Sequence, residues 1–276
     1  MSIITISRGS LSATESLAKK VSEKLSWPVI SREDVLSAAD KYGIKESGLV
    51  QVSFLDESPH LLDKLSSRKK LYLTCFQTAL FEFALKGSMI YHGHLGQFLL
   101  TRIPYVLRIM LTAPLEYRIN ALVKERGMSR EQAKSYIKSI DEHRMKWSSF
   151  LYGVNWKDPI YYDLVLNIER MSLDLASDII VESVSRKEFQ PTAESTRLLK
   201  NLHLASLSKV HLQQSPRTRG SDVEIEADAD AGKLLVRGSC PTVGAKMWED
   251  DIRNVLQKIE GVKVIEIKKE LISYHE

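Results

Sequence analysis

The chain has 276 residues, 43% hydrophobic and 27% charged, with a formal net charge of +4. That suffices for a sizeable core and two domains, and it is too apolar for a disordered chain. So small a positive excess gives no reason to expect nucleic acid, and two distant cysteines, Cys75 and Cys240, make neither a disulfide framework nor a metal cluster. No run approaches a membrane span, and the start lacks the basic flank and cleavage site of a signal peptide. A soluble cytoplasmic protein is the simplest expectation.

Ile3 to Ser7 is short and β-branched, as a buried strand is. Leu17, Ala18, Val21 and Leu25 then give a helical apolar stripe. "WPVIS" predicts a second strand, Arg32 to Tyr42 another helix, and "LYLTCFQTALFEFALKG" a mostly apolar helix stopped at Gly87. "SMIYHG" and "YVLRIMLTAP" read as further strands. From Pro114 to Trp147 the pattern is helical and charged, broken where Gly127 stops one helix and Ser129 with Gln132 can cap the next. "YYDLVLNI" restores a buried-type strand and "SLDLASDIIVESV" a helix. Strands alternating with helices predict an α/β fold, a parallel sheet with helices on both faces.

The character changes at a polar stretch carrying Pro191, which sets the expected division: a first domain over 1–187, a linker over 188–196 and a small α+β domain over 197–276. That last part reads as a helix from about Ser195 to Leu212, the strands "DVEIEADA" and "KLLVRGS", a helix marked by Ile252, Val255, Leu256 and Ile259, and a final strand "GVKVIEIKK". The acidic alternation fails the calcium-loop template, with glycine one place late and Arg237 where a glutamate belongs. Val223, Ile225, Ala227 and Ala229 at period two make it an ordinary half-exposed strand.

Between the first strand and the first helix stands "GSLSATES". A phosphate-binding loop at this place reads Gly, four residues, then Gly-Lys-Ser/Thr. Gly9 and Ser16 keep the spacing, but Thr14 and Glu15 occupy the Gly-Lys positions. Thr14 resists positive φ, and Glu15 replaces a cation with an anion. A carboxylate about 4 Å from one phosphate charge costs on the order of 4 kcal/mol at an effective dielectric near 20. The same letters have a structural reading. Ser12 and Glu15 form an S-x-x-E capping box, Glu15 favours the positive end of the helix dipole, and Lys19 stands at its i+4 position. Arg8, Lys19 and Lys20 are cations near enough to restore phosphate contact, though their spacing gives that no specific support.

Several stretches resemble the cytidylate-kinase-like branch of the P-loop nucleoside monophosphate kinases: "IITISRGS", "ISRED", "APLEYRI", "GMSREQAKSYIKSIDEHRMKW" and "LYGVNWKDPIYYDLVLNIERMSLDLA". The resemblance spans the first 185 or so residues, in order. It implies a P-loop kinase-like sheet, and transfer of the ATP γ-phosphoryl group to a nucleoside monophosphate with magnesium. Such catalysis is mostly positioning and electrostatic stabilisation, so cations must surround the phosphates. The resemblance assigns Arg8, Gly9, Ser10, Ser12 and Ser16 to the cofactor loop, Arg32, Gly93 and His94 to the acceptor side, and Arg118, Asp141 and Arg144 of the lid to catalysis, the two arginines reaching the transferring phosphates when the lid closes. The bland reading of helical arginines is a solvated or i,i+4-paired side chain. His94 stands where relatives often carry arginine, a second lost positive charge. His92 and His94 lack neighbouring ligands at metal spacing, so no metal is expected. About the last 75 residues, "AGKLLVRGSCPTVGAKMWEDDIRNVLQKIEGVKVIEI" foremost, resemble a BON module: strand, glycine, helix, then Gly-Val before a final strand.

Two functions stay open at this point. One is a kinase-like protein with a degenerate loop, impaired in catalysis and acting through its BON-like module on an unidentified ligand, a protein or a second copy of itself. It would need no cofactor. The other is an active CMP-type kinase using ATP and magnesium.

Overall fold

The computed structural model describes residues 1–8, 13–43, 67–242 and 244–272. The chain divides into two compact units. Among the described residues one holds 1–35 and 86–191, and the other 36–43, 67–85 and 192–272.

In the first unit, β1 (Ile3–Arg8), β2 (Val29–Ser31), β3 (Met89–His92), β4 (Val106–Thr112) and β5 (Leu164–Asn167) form one sheet in the order β2-β3-β1-β4-β5. Every pairing is parallel, with Ile4 opposite Ile90 on one side and Leu107 on the other. Alternation decides which side chains face which layer. Ile4, Ile6, Ile90, Leu107, Ile109 and Leu166 point to one face. There they bury against Leu17, Ala18 and Val21 of α1 (Ala13–Leu25) and Ala176, Ile180 and Val184 of α7 (Leu173–Val184). Ser7 belongs to the opposite face of β1, where it meets Gln97 of the four-residue α4 (Gly96–Leu99). This is the parallel α/β sheet with helices that the alternation predicts.

The helical stretch after β4 folds as the sequence reading expects. α5 (Leu115–Arg126) ends at Gly127 with φ 63°, and Ser129 caps α6 (Arg130–Tyr152) in a reciprocal box with Gln132. Ile119, Leu122, Ala133 and Ile137 give this helix pair a small core of its own. α4 has no counterpart in the sequence reading, because four residues are too few to show a period.

The described part of the second unit contains α3 (Ser67–Lys86, its last residue past the unit boundary), α8 (Ala193–Gln214), β6 (Val223–Asp228), β7 (Lys233–Pro241), α9 (Ala245–Leu256) and β8 (Val264–Ile272). Its three strands run in the order β6-β7-β8, the first pair antiparallel and the second parallel. Leu204, Leu212, Ile225, Leu234, Val236, Ile252, Leu256 and Ile259 close one core between sheet and helices. Thr78 of α3 and Ser206 of α8 share a buried hydroxyl–hydroxyl bond of 2.6 Å.

Candidate functional site

β1 is the strand at which the winding of the first unit reverses, since the chain goes from it to β2 and β3 on one side and to β4 and β5 on the other. Open α/β sheets place ligands at the carboxyl ends of their strands beside that reversal. There β1 ends with Ser7 and Arg8, opposite Met110 and Leu111 of β4. Gly9, Ser10 and Ser12 of the expected cofactor loop lie outside the described residues, and so does one half of the Ser12–Glu15 cap. Ser16 is exposed on α1. Thr14 lies inside α1, fully buried, on helical backbone and not in the left-handed region that a loop glycine supplies. Glu15 binds Lys19 at 2.8 Å, with 57% of the Glu15 side chain exposed, and this bond raises the Lys19 pKa. Lys20 reaches Asp174 of α7 at 2.7 Å, and Lys24 reaches Asp178 at 2.5 Å. The two lysines proposed as substitutes for the missing cation therefore each hold a carboxylate.

At the end of β2, the Ser31 amide and hydroxyl donate to Asp34 at 2.8 and 2.6 Å, and the Asp34 amide donates back to the Ser31 hydroxyl at 3.1 Å. These bonds from Ser31 hold the Asp34 carboxyl below its ordinary range. Arg32 opens α2 (Arg32–Ala39) half-buried beside this cap. At the end of β3 the "HGHLG" turn folds over the ring of Tyr91. A methyl group added at Gly93 would sit 2.3 Å from the Tyr91 hydroxyl oxygen, and one at Gly96 2.6 Å from the ring, so a larger residue at either place requires the Tyr91 side chain to move. Leu95 between them takes φ 65°, an uncommon conformation for a residue with a Cβ. His94 is buried and meets the ring of Trp156 edge-on, with centroids 6.1 Å apart.

The residues expected for the lid come together as a set. Arg118 donates two bonds to Asp141, at 2.9 and 2.8 Å, and Lys157 donates a third at 2.9 Å. Burial alone would raise the Asp141 carboxyl, but Arg118 and Lys157 outweigh it and hold it below the usual carboxylate range. Arg144, buried one helical turn further on, packs its guanidinium over the Trp156 ring at 5.8 Å, and Lys157 lies 5.4 Å from the same ring. Arg144 and His94, predicted for lid and acceptor side, thus meet on one indole. A cavity of about 400 Å³ flanks the Arg118–Asp141 pair, lined by Leu115, Ile137, Met145, Lys134 and Lys138 among others. Sequence reasoning missed Trp156, Lys157, Gln97 and Tyr162. The available signal was the density of aromatics in "YGVNWKDPIYYD". Among the described residues no cluster of three or more His, Cys, Asp or Glu is arranged for a metal.

The sequence pattern of the cytidylate kinase-like family matches residues 3–170. The chain belongs to that family. A cytidylate kinase from Ignicoccus hospitalis is 27% identical over 191 residues, which are 67% of this chain and 98% of the relative. A cytidylate kinase from Methanopyrus kandleri is 32% identical over 111 residues, 37% of this chain and 58% of the relative. Among solved structures, an uncharacterized protein from Eubacterium ventriosum superposes with a TM-score of 0.50 at 20% identity, covering 67% of this chain and 98% of its own. That likeness supports the fold of the first unit. No helix among the described residues is long and apolar enough to cross a membrane.

Proposed function

We propose that this cytidylate kinase-like protein keeps the lid side and, apart from the charge lost at His94, the acceptor side of a kinase site while its ATP side is impaired, and that it acts as a binding or regulatory protein. The observation that carries this reading is Glu15. In the first turn of α1, at the position of the phosphate-binding lysine, it presents a carboxylate, and Lys19 and Lys20 beside it are held by Glu15 and Asp174. Among the described residues there, the buried Thr14 and the Glu15 carboxylate do not suit a triphosphate, whose charge requires cations and glycine backbone. The C-terminal unit, which resembles a BON module, would supply the contact to a partner, a small ligand or a second copy of the chain.

A specific arrangement favours a second reading, an active CMP-type kinase. Arg118, Asp141, Lys157 and Arg144 gather as a phosphate-facing lid would require. Calorimetric titration with Mg-ATP and, separately, CMP decides between the two. Impairment predicts weak or absent Mg-ATP binding. Micromolar ATP affinity with conversion of CMP to CDP would establish the second reading instead.

A further inference from the structure

The lid cations stand on Trp156, and Trp156 is itself held by a buried chain of hydrogen bonds that starts on β1. The Ser7 hydroxyl donates to Gln97 Oε1 at 2.6 Å, Gln97 Nε2 donates to the Tyr162 hydroxyl at 2.9 Å, and Tyr162 donates to the Trp156 carbonyl at 2.6 Å. All four residues are buried, Gln97 and Ser7 almost completely. Each donor has one acceptor in sequence, so the bonds run in a single direction from the strand that precedes the phosphate loop to the residue beneath the lid. Burial pushes the Tyr162 hydroxyl up to about 12, which keeps it protonated as the last donor across the physiological range. On the indole, Arg144 and Lys157 lie within cation–π distance of the ring, and His94 meets it edge-on.

We infer that Trp156 is a positioning residue for the lid cations Arg144 and Lys157, fixed in place by the Ser7–Gln97–Tyr162 chain. The indole acts through these side chains and touches no reacting group. Lys157 is the branch point, since it also donates to Asp141 and so ties the Trp156 platform to the Arg118–Asp141 pair. Three separate stretches of sequence, the end of β1, α4 and the segment before β5, thereby hold one pair of cations. A buried polar chain with every bond made is rigid, because breaking any one of them strands a buried donor or acceptor. A role for Arg144 and Lys157 in contacting phosphate rests on the acceptor- and lid-side reading above, but their placement on Trp156 does not.

The test reads placement and binding separately. In isotope-labelled full-length protein, the ring current of Trp156 should move the Arg144 δ-methylene and Lys157 ε-methylene protons upfield of their random-coil positions. Trp156→Leu removes the ring current itself and so serves as the reference that assigns both shifts to this indole. Trp156→Phe should keep part of each, and the chain-breaking variants that keep the indole read the positioning. Tyr162→Phe keeps the indole and the Tyr162 ring but removes the last two bonds, from Gln97 and to the Trp156 carbonyl, and should reduce both shifts while the methyl signals of Ile4 and Ile109 stay in place as the fold control. If Tyr162→Phe fails that control, Gln97→Met serves the same purpose. Unchanged Arg144 and Lys157 shifts in a folded Trp156→Leu protein, or in a folded chain-breaking variant, overturn the proposal. Calorimetry with CMP is the second arm. Trp156→Leu should weaken CMP binding roughly tenfold, with Trp156→Phe recovering part of it. Intact ring shifts in a wild-type protein that binds no CMP would remove the acceptor-side reading and leave the positioning role standing.

Discussion

Replacing Asp141 tests whether the lid pair is a structural lock or a surface decoration. Its carboxylate takes both arms of Arg118 and the ammonium of Lys157, and the Arg118 and Asp141 side chains are only 12% and 14% exposed. Removing one partner of a buried pair costs about 3–5 kcal/mol. The residual exposure here points to the lower end, about 3 kcal/mol for Asp141→Ala on that principle. Asp141→Asn keeps an acceptor without the charge and should cost about half as much. Replacing both partners at once, Arg118→Met with Asp141→Leu, should cost less than Asp141→Ala alone, because the buried guanidinium is then gone and only the half-exposed Lys157 ammonium loses its carboxylate. Urea unfolding followed by tryptophan fluorescence measures all of these. The pH dependence has a defined sign. The folded Asp141 pKa lies below its unfolded value of about 3.9, so the contribution is complete above that value and is lost as the pH falls through the folded pKa. The gap between wild type and Asp141→Asn should therefore close only below about pH 4. A loss under about 1 kcal/mol for Asp141→Ala at neutral pH, the range of exposed pairs, would refute the reasoning.

Gly93→Ala should destabilise the first unit by about 1–3 kcal/mol, since its methyl would meet the Tyr91 hydroxyl. Adding Tyr91→Phe, which removes the nearest atom, should return part of that in a thermal melt. Ser129→Ala removes the side-chain half of the α6 cap, the acceptor for the Gln132 amide, and should cost about 1 kcal/mol by denaturant unfolding. Cys75 and Cys240 are both buried, and burial pushes the Cys75 thiol up to about 12, so neither should react with a thiol reagent at pH 8 until the protein is denatured. Native labelling of Cys75 would show that α3 opens.

Elements with a strong period were legible from the letters alone. The Gly127 stop and the Ser129–Gln132 box mark the α5–α6 junction at the residues where the backbone turns, because both signals are local chemistry. Leu17, Ala18 and Val21 of the predicted stripe fall on the buried side for the same kind of reason. The site was legible only in part. Arg118 and Asp141 stand 23 residues apart on two helices, and only the family resemblance set them together; their bidentate geometry comes from packing. Gln97 and Tyr162 are 65 residues apart, and nothing in their sequence surroundings joins them. Trp156 draws no reading from the sequence, because only the fold brings Arg144 over its ring.

Glu15 carries the strongest claim about the ATP side, and its exposure sets the size of the effect. At about 4 Å from a phosphate a unit charge is worth about 4 kcal/mol at an effective dielectric of 20 and about 1 kcal/mol in water. With 57% of its side chain exposed, Glu15 lies toward the aqueous end. Glu15→Lys changes the local charge by two, so it should strengthen Mg-ATP binding by at least about 2 kcal/mol, roughly 30-fold. The substitution also frees Lys19 from its partner and places two cations at i,i+4, a repulsion of only about 0.2–0.5 kcal/mol that a bound phosphate would offset. Thr14→Gly should add to this only if the buried threonine on helical backbone is what keeps the loop from closing on an anion. Equal, weak ATP affinity in wild type, Glu15→Lys and the double variant would place the defect outside Thr14 and Glu15, and the charge at the first turn of α1 would then be ancestry without consequence.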